Sequence, residues 1–519
     1  MYISKRGYHP GTTMNMVSSG GNSYNDRVIL SLPNNLGNSG TDYVMKQSIS
    51  IFWFRQDLRL CDNPGLIEAA RLGKILPIYI FDDLSSSAFK MGGASRVYLY
   101  HSLSSLNKAL NDKLNLYVGD PEKIILQLSQ QYNITNIFWN RCYEPWSIMN
   151  DTIIEKKLSA LKINYSAFNG SYLWTPEEIT KEDGSYYRVF SAYKRKAHFS
   201  EPRKPLPKPK NLILIKDLGN KTTLNDLPLI PNHSWQDKIK AHWNFGEKAA
   251  QNKLDNFLHS CLSGYKKGRD YPAANQTSKL SVNLHFGEIS PHQIWDAINT
   301  MGRFNAPEED VNHFLSEMIW REFSCYLMAH FNKLPSDNFQ AKFNNFPWMH
   351  DNLLLNAWQT GNTGYPIIDA GMRELWQTGY MHNRVRMIVA SFLVKNLMIH
   401  WHYGRDWFWD CLVDADLANN SASWQWVAGC GVDAAPYFRI FNPITQGEKF
   451  DSDGNYTRKY VPELKKLPNK YLFKPWEAPE KILKDAGIIL GQHYPKPIVD
   501  LKTSRERALS AYKSLRTNK

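Results

Sequence analysis

Four short apolar runs, each followed by a stretch of helical length, constrain this chain more than any other feature. SISIFWFR (48–55), ILPIYIF (75–81), Leu114–Val118 and Ile134–Trp139 have strand length, and helical periodicity fills 63–72, 95–112 and 121–132. Strands that alternate with helices imply βαβ units and a parallel, doubly wound sheet, so an α/β domain is expected over 48–185. From about 245 to 450 the pattern changes to long amphipathic stretches rich in aromatics, with no strand signal, and a large all-α domain is expected over 241–515. Two domains also suit a length of 519 residues, which exceeds one ordinary core.

The segment between them, 186–240, has few periodic signals. Nine basic residues lie between Tyr186 and Lys216 against one acid, Glu201, and EPRKPLPKPK reads as an extended linker. Residues 1–47 are rich in Gly, Ser and Asn without periodicity and read as a disordered extension, or as sequence upstream of a true start at Met45.

The balance of 62 basic against 49 acidic residues gives a net charge of +13. That suits a polyanionic partner, of which nucleic acid is the commonest, and equally a merely basic enzyme. The six cysteines form no CxxC pair and no tight Cys/His cluster, so neither a disulfide framework nor a metal site is expected. No run approaches the roughly 18 apolar residues of a membrane span, and the N-terminus lacks a secretory apolar core.

Four stretches carry chemistry. In MHNRVRMIVASFLVKN (381–396), Met381, Val385, Ile388, Val389, Phe392 and Leu393 make an apolar helix face, while Asn383, Arg386 and Met387 share another. That second face is either the wet side of a surface helix or the wall of a site. In TSKLSVNLHFGEISP (277–291), Thr277, Ser278, Lys279 and Ser281 place three hydroxyls and a cation at a helix start, a pattern that holds phosphate or simply caps the helix. In EMIWREF (317–323), Glu317, Trp320 and Arg321 fall on one helical face, suited to a base that needs an acceptor and a stacking plane, or to a core Trp beside an ion pair. The stretch 414–451 is too polar and too rich in Gly and Pro for a simple core helix.

These stretches, with WFRQDLRLCDNPGL (53–66) and TGYPIIDAGMREL, closely resemble the DNA photolyase and cryptochrome family over about 48–515. YPKPIVD and RERALSAYKSL are similar to the end of bacterial, class I-like cyclobutane pyrimidine dimer photolyases. The resemblance implies an N-terminal antenna domain, a long linker and an FAD-binding helical domain. It implies light-driven repair of cyclobutane pyrimidine dimers in DNA by an electron from reduced, anionic FAD, with the dimer flipped out of the duplex. It also implies a monomer without membrane contact, cytoplasmic and nucleoid-associated in a bacterium, or in an organelle or nucleus otherwise.

Residue roles follow from the same resemblance. Tyr265, Thr277, Ser278, Lys279, Leu280 and Ser281 match positions that hold the FAD phosphates and ribityl chain, with Lys279 where the family usually has Arg. Asp414, Ala415 and Asp416 match the segment at the flavin and adenine, Arg386 with Asp414 an ion pair beside the flavin, and Asn420 the residue facing flavin N5. Asn383 and Met387 match two His of (6-4) photolyases, so the polar face of 381–396 is expected to be a dimer-binding wall. Glu317 matches the carboxylate that hydrogen-bonds the dimer, and Trp320 and Trp426 the aromatic walls around it. Arg269, Arg321, Arg384 and Arg439 are candidate DNA or pocket contacts, and Trp424, Trp401 and Trp348 match the electron relay. Asn140, Tyr143 and Glu144 lie where some members bind methenyltetrahydrofolate, which is favoured here over a deazaflavin. The rivals are a cryptochrome-type blue-light receptor, opposed by Asn420 and the short tail after 515, a (6-4) photolyase, opposed by Asn383 and Met387, and a single-strand-preferring member. FSAYKRKA (190–197) departs from the family's linker motif, which puts a linker–DNA role in doubt.

Overall fold

The computed structural model describes residues 49–83, 88–231, 234–433 and 438–517. The expectations for 1–47, including Met45, and for part of the PYFRIFNP run lie outside the described residues.

Five strands, β1 (Ile49–Phe54), β2 (Lys74–Phe81), β3 (Asn115–Val118), β4 (Asn136–Asn140) and β5 (Asn164–Phe168), form a parallel sheet in the order β3-β2-β1-β4-β5. Helices Pro64–Leu72, Gly93–Ala109, Pro121–Gln131 and Pro145–Ala160 alternate with them. Side chains alternate across a strand. Ile51, Trp53, Ile78, Ile80, Ile137 and Trp139 therefore enter one core, and Phe52, Phe54, Tyr79, Phe81 and Phe138 the other. Two helix starts are set by capping: Asn63 accepts from the Leu66 amide ahead of Pro64, and Asp120 from the Glu122 amide ahead of Pro121.

The linker is less extended than its composition suggests. FSAYKRKA forms the helix Phe190–Ala197, and a short strand, β6 (Ile213–Leu214), pairs with β2. Residues 201–209 between them have no regular structure. Beyond 235 the described chain is helical, with long helices at Glu247–Ser260, Glu308–His330 and Pro366–Thr378.

The two parts share a core. Val282, Phe286, Tyr380 and Val413 of the helical part pack in the same cluster as Phe52 and Phe54. The loop after β1 makes the joint: the Leu58 amide donates to the Phe286 carbonyl at 3.0 Å, and the Leu60 and Cys61 amides donate to the Glu247 carboxylate. Arg59, wholly buried, donates to the carbonyls of Asp62, Gly170 and Gly287. Much of the WFRQDLRL stretch is thus structural.

Candidate active site

The helix Asn383–Ser391 has the two faces its spacing predicts. Val385, Ile388 and Val389 are buried, Asn383 is exposed, and Arg386 and Met387 are half-buried. The His382 imidazole starts it, accepting from the Arg384 amide through Nδ1, and then a π-turn, Phe392–Asn396, carries the chain on. Burial, with Arg269 and Arg386 nearby, pushes the His382 pKa down to about 3, so this cap is neutral.

Its polar face lines a cavity of about 870 Å³, also walled by Glu308–His330, Leu417–Ala428 and the loop ahead of the short helix Ser281–His285. That volume falls in the ligand-pocket range of about 300–1,000 Å³. One end is built around an ion pair. Arg386 Nη2 donates to both Asp414 oxygens, at 3.0 and 2.9 Å, and Ser281 Oγ donates to Asp414 Oδ2 at 2.7 Å. Arg386 Nε is tied to the Met381 carbonyl, so the guanidinium cannot swing away. Tyr265, Ser278, Leu280, Ala415 and Asp416 line the same cavity. Asp416 has a second duty as helix cap, since its Oδ1 accepts from the Asn419 amide at 2.8 Å. Asn420 also lines the cavity, with Nδ2 donating to the Arg405 carbonyl at 3.0 Å.

Thr277 and Lys279 are not on the cavity wall. Lys279 has φ of 51°, a left-handed conformation, and its ammonium lies 6.0 Å from the Tyr380 ring. The residue matched to the phosphate-holding position thus takes a backbone conformation uncommon for a non-glycine residue.

The wall nearer solvent holds Glu317, Trp320, Asn383, Arg384, Met387 and Trp426. Glu317 accepts from Arg269 Nη1, and His313, one helical turn earlier, lies 3.8 Å from the same carboxylate. Arg384 is held by Asp270 at 2.6 Å and rests over the Phe450 ring. Trp320 stacks on Phe190 of the linker helix, with centroids 3.5 Å apart and planes 6° apart. FSAYKRKA thus braces one aromatic wall.

Two of the candidate arginines also make bonds within the fold. Arg321 reaches the cavity, but Nη1 donates to the Ser171 carbonyl and to Glu322, and the guanidinium covers the Tyr172 ring at 4.4 Å. It ties the α/β part to the helical part while still lining the cavity. Arg439 lies outside the main cavity and beside a smaller one shared with Trp426, where its carbonyl accepts from buried Lys395.

Of the expected relay, Trp424 lines the cavity, Trp401 is fully buried, and Trp348 is half-buried. Trp424 fits only because position 404 is glycine; a Cβ there would lie 2.1 Å from the indole.

A second cavity, of about 170 Å³, opens at the C-terminal ends of β1, β2 and β4, where the strand order reverses. Of the antenna candidates only Glu144 lines it. Its Oε1 accepts from Gln56, its Oε2 is buried without a partner, and burial pushes its carboxyl pKa up. Asn140 instead braces the fold, donating to Asp57 and Asn63, while Tyr143 packs against Tyr172.

Sequence reasoning missed His285 and Asp270. His285 touches both cavities, with Nδ1 buried and unpartnered. Its presence within 277–291 was visible, but its direction was not. Asp270 directly follows Arg269 and pairs with Arg384 across the cavity, a contact no sequence spacing signals. An orphaned buried imidazole nitrogen and a hydroxyl–carboxylate–guanidinium chain fit a large polar cofactor at this end.

Two family models match: "FAD binding domain of DNA photolyase" over 314–514 and "DNA photolyase" over 50–210. A deoxyribodipyrimidine photo-lyase of Agrobacterium fabrum is 45% identical over 91% of this chain and 99% of its own length. Cryptochrome-2 of Arabidopsis thaliana is 36% identical over 88% of this chain and 77% of its own. The crystal structure of a class III photolyase from Agrobacterium tumefaciens superposes with a TM-score of 0.88 at 44% identity, covering 92% of this chain and all of that one. The terminal motifs had resembled class I-like members.

Proposed function

The chain belongs to the DNA photolyase and cryptochrome family, and we propose that within it this protein repairs cyclobutane pyrimidine dimers in DNA, driven by light and using FAD. One observation carries the reading. The Arg386–Asp414–Ser281 chain opens onto the same cavity as Glu317, Trp320 and Trp426, and no imidazole occupies 383 or 387.

When bound in its reduced form, FAD supplies one electron on excitation and recovers it after the ring has split. The protein's work is positional. Ser281 and the Arg386–Asp414 pair hold the flavin end, and the buried ion pair fixes the guanidinium beside it. Trp320 and Trp426 offer apolar faces that stabilise two bases taken out of the stack. Glu317 and Asn383 supply hydrogen bonds to the dimer, the first as a carboxylate, the second as an amide able both to donate and to accept. Neither Asn383 nor Met387 can act as a general acid near neutral pH, which suits bond cleavage needing only an electron. Arg384 and Lys266, paired with Asp270 and Glu309, line the same cavity and are the candidates for contact with phosphates, which positions DNA without reading sequence.

The second cavity is our candidate for the antenna chromophore, with methenyltetrahydrofolate favoured. Its 170 Å³ is below the roughly 300 Å³ of a full ligand pocket, so it accommodates part of that molecule beside Glu144.

The test uses purified, photoreduced protein and an oligothymidylate carrying cyclobutane dimers. Recovery of thymine absorbance under blue light, and none in the dark, is the expected result. No recovery with FAD bound and reduced would overturn the reading and leave the (6-4) lesion, then blue-light signalling, as the functions to assay. Asn383→Ala is expected to weaken binding to dimer-containing DNA by about 1 kcal/mol, roughly fivefold in Kd. Equal affinity in a gel-shift titration would remove Asn383 from the dimer wall.

A further inference from the structure

His400 sits at the start of the helix Trp401–Cys411, where its Nδ1 accepts from the His402 amide at 3.2 Å. This cap fixes the ring. An isolated parallel bridge, Met349↔Ile399, brings the neighbouring segment alongside, with the Met349 amide donating to the Met398 carbonyl at 2.7 Å. The consequence is a short aromatic row. The His400 ring lies 4.9 Å from Trp348, edge on, and 5.8 Å from Trp401, stacked at 26°.

We propose that His400 is the bridging ring of the outer relay step, carrying electronic contact between Trp348 and Trp401. This rests on reading Trp424, Trp401 and Trp348 as the relay. In the step, one electron leaves Trp348 and fills the vacancy on oxidised Trp401. Trp348 is left one electron short until an external one-electron reductant, such as a thiol, restores it.

No proton moves at His400. Its Nδ1 lone pair is taken by the helix amide, so the neutral ring carries its proton on Nε2. Burial, then the charge of Arg405 and the neighbouring His350, hold its pKa down at about 4, so the ring is uncharged at physiological pH. An imidazolium here would repel the positive charge that passes. Arg405, whose guanidinium lies 5.3 Å from the Trp401 ring centroid, is paired with Asp406 at 2.7 Å.

Two substitutions separate the ring from the cap. His400→Phe keeps an aromatic ring and loses the cap; His400→Asn keeps a capping oxygen and loses the ring. The readouts on FAD-loaded protein are the decay and spread of the tryptophan-radical absorption after a laser flash, with flavin content and melting temperature as folding controls. His400→Asn is expected to slow appearance of the Trp348 radical roughly tenfold, since small losses of contact geometry carry large rate penalties. His400→Phe is expected to stay near the wild-type rate. Wild-type behaviour of His400→Asn, or equal slowing in both variants, would overturn the bridge. Trp401→Phe is the control for the relay itself. If that variant keeps the wild-type signal, the relay reading fails and the bridge falls with it; if it loses the signal while His400→Asn does not, the bridge alone fails.

Discussion

Glu317→Ala is expected to lower the quantum yield of dimer repair severalfold while FAD stays bound. Glu317 contributes nothing to the Arg386–Asp414–Ser281 chain; it pairs with Arg269 and lies beside His313. Loss of a hydrogen bond from a charged acceptor costs about 2 kcal/mol, roughly thirtyfold in the rate of ring splitting, and the yield falls by less because it is set by that rate against return of the electron. Truncation also frees Arg269 at the cavity mouth, so part of the effect would come from that arginine turning toward the DNA. Glu317→Gln separates the two, because it keeps an acceptor oxygen and removes the charge that holds Arg269. The check is thymine recovery per absorbed photon with flavin content measured in the same sample. An unchanged yield in Glu317→Ala would take this residue out of the mechanism.

Asp414→Ala is expected to give colourless protein, or protein that sheds its flavin on dilution. The carboxylate is nearly fully buried, with 3% of its side chain exposed, and it neutralises Arg386 while accepting from Ser281. Removing one partner of a fully buried pair costs about 3–5 kcal/mol; Arg386 keeps 24% of its side chain exposed, so the cost here falls below that range. If the pair serves both cofactor and fold as proposed, melting temperature should fall along with the flavin absorbance. Asp414→Asn keeps the shape and an acceptor for Ser281 and should fall between the two. Full flavin content in Asp414→Ala, with an unchanged melting curve, would mean the pair holds neither cofactor nor fold.

Much of the site was legible as a set of stretches rather than as a geometry. Glu317 and Trp320 do share a helix face and reach one cavity with Asn383 and Met387, as three-and-four spacing implies. β5 went unseen because NYSAF is an edge strand without an apolar run, partly exposed along its length. The linker helix Phe190–Ala197 went unseen because the basic character of its surroundings masked a short amphipathic turn. Arg321 and Arg386 are the same residue type on neighbouring motifs. One is taken by the Ser171 carbonyl and the Tyr172 ring of the α/β part, the other by Asp414, and partners 150 and 28 positions away leave no trace in local pattern.

What the sequence determined by itself was the alternation of strand and helix, the change to a helical second half, and the segments that would supply the site. Hydrophobic period and helical spacing are local, and they survive without knowledge of the partner surface. Tertiary structure alone decided which polar groups would be spent on the fold. Asn140 and Arg321 went to bracing, Lys279 took a left-handed backbone conformation, and Gly404 made room for Trp424. It also set His400 between Trp348 and Trp401, through a backbone bridge between residues 50 positions apart. Buried polar groups take whatever partner the packing brings within about 3 Å, and that choice is made only when distant segments meet.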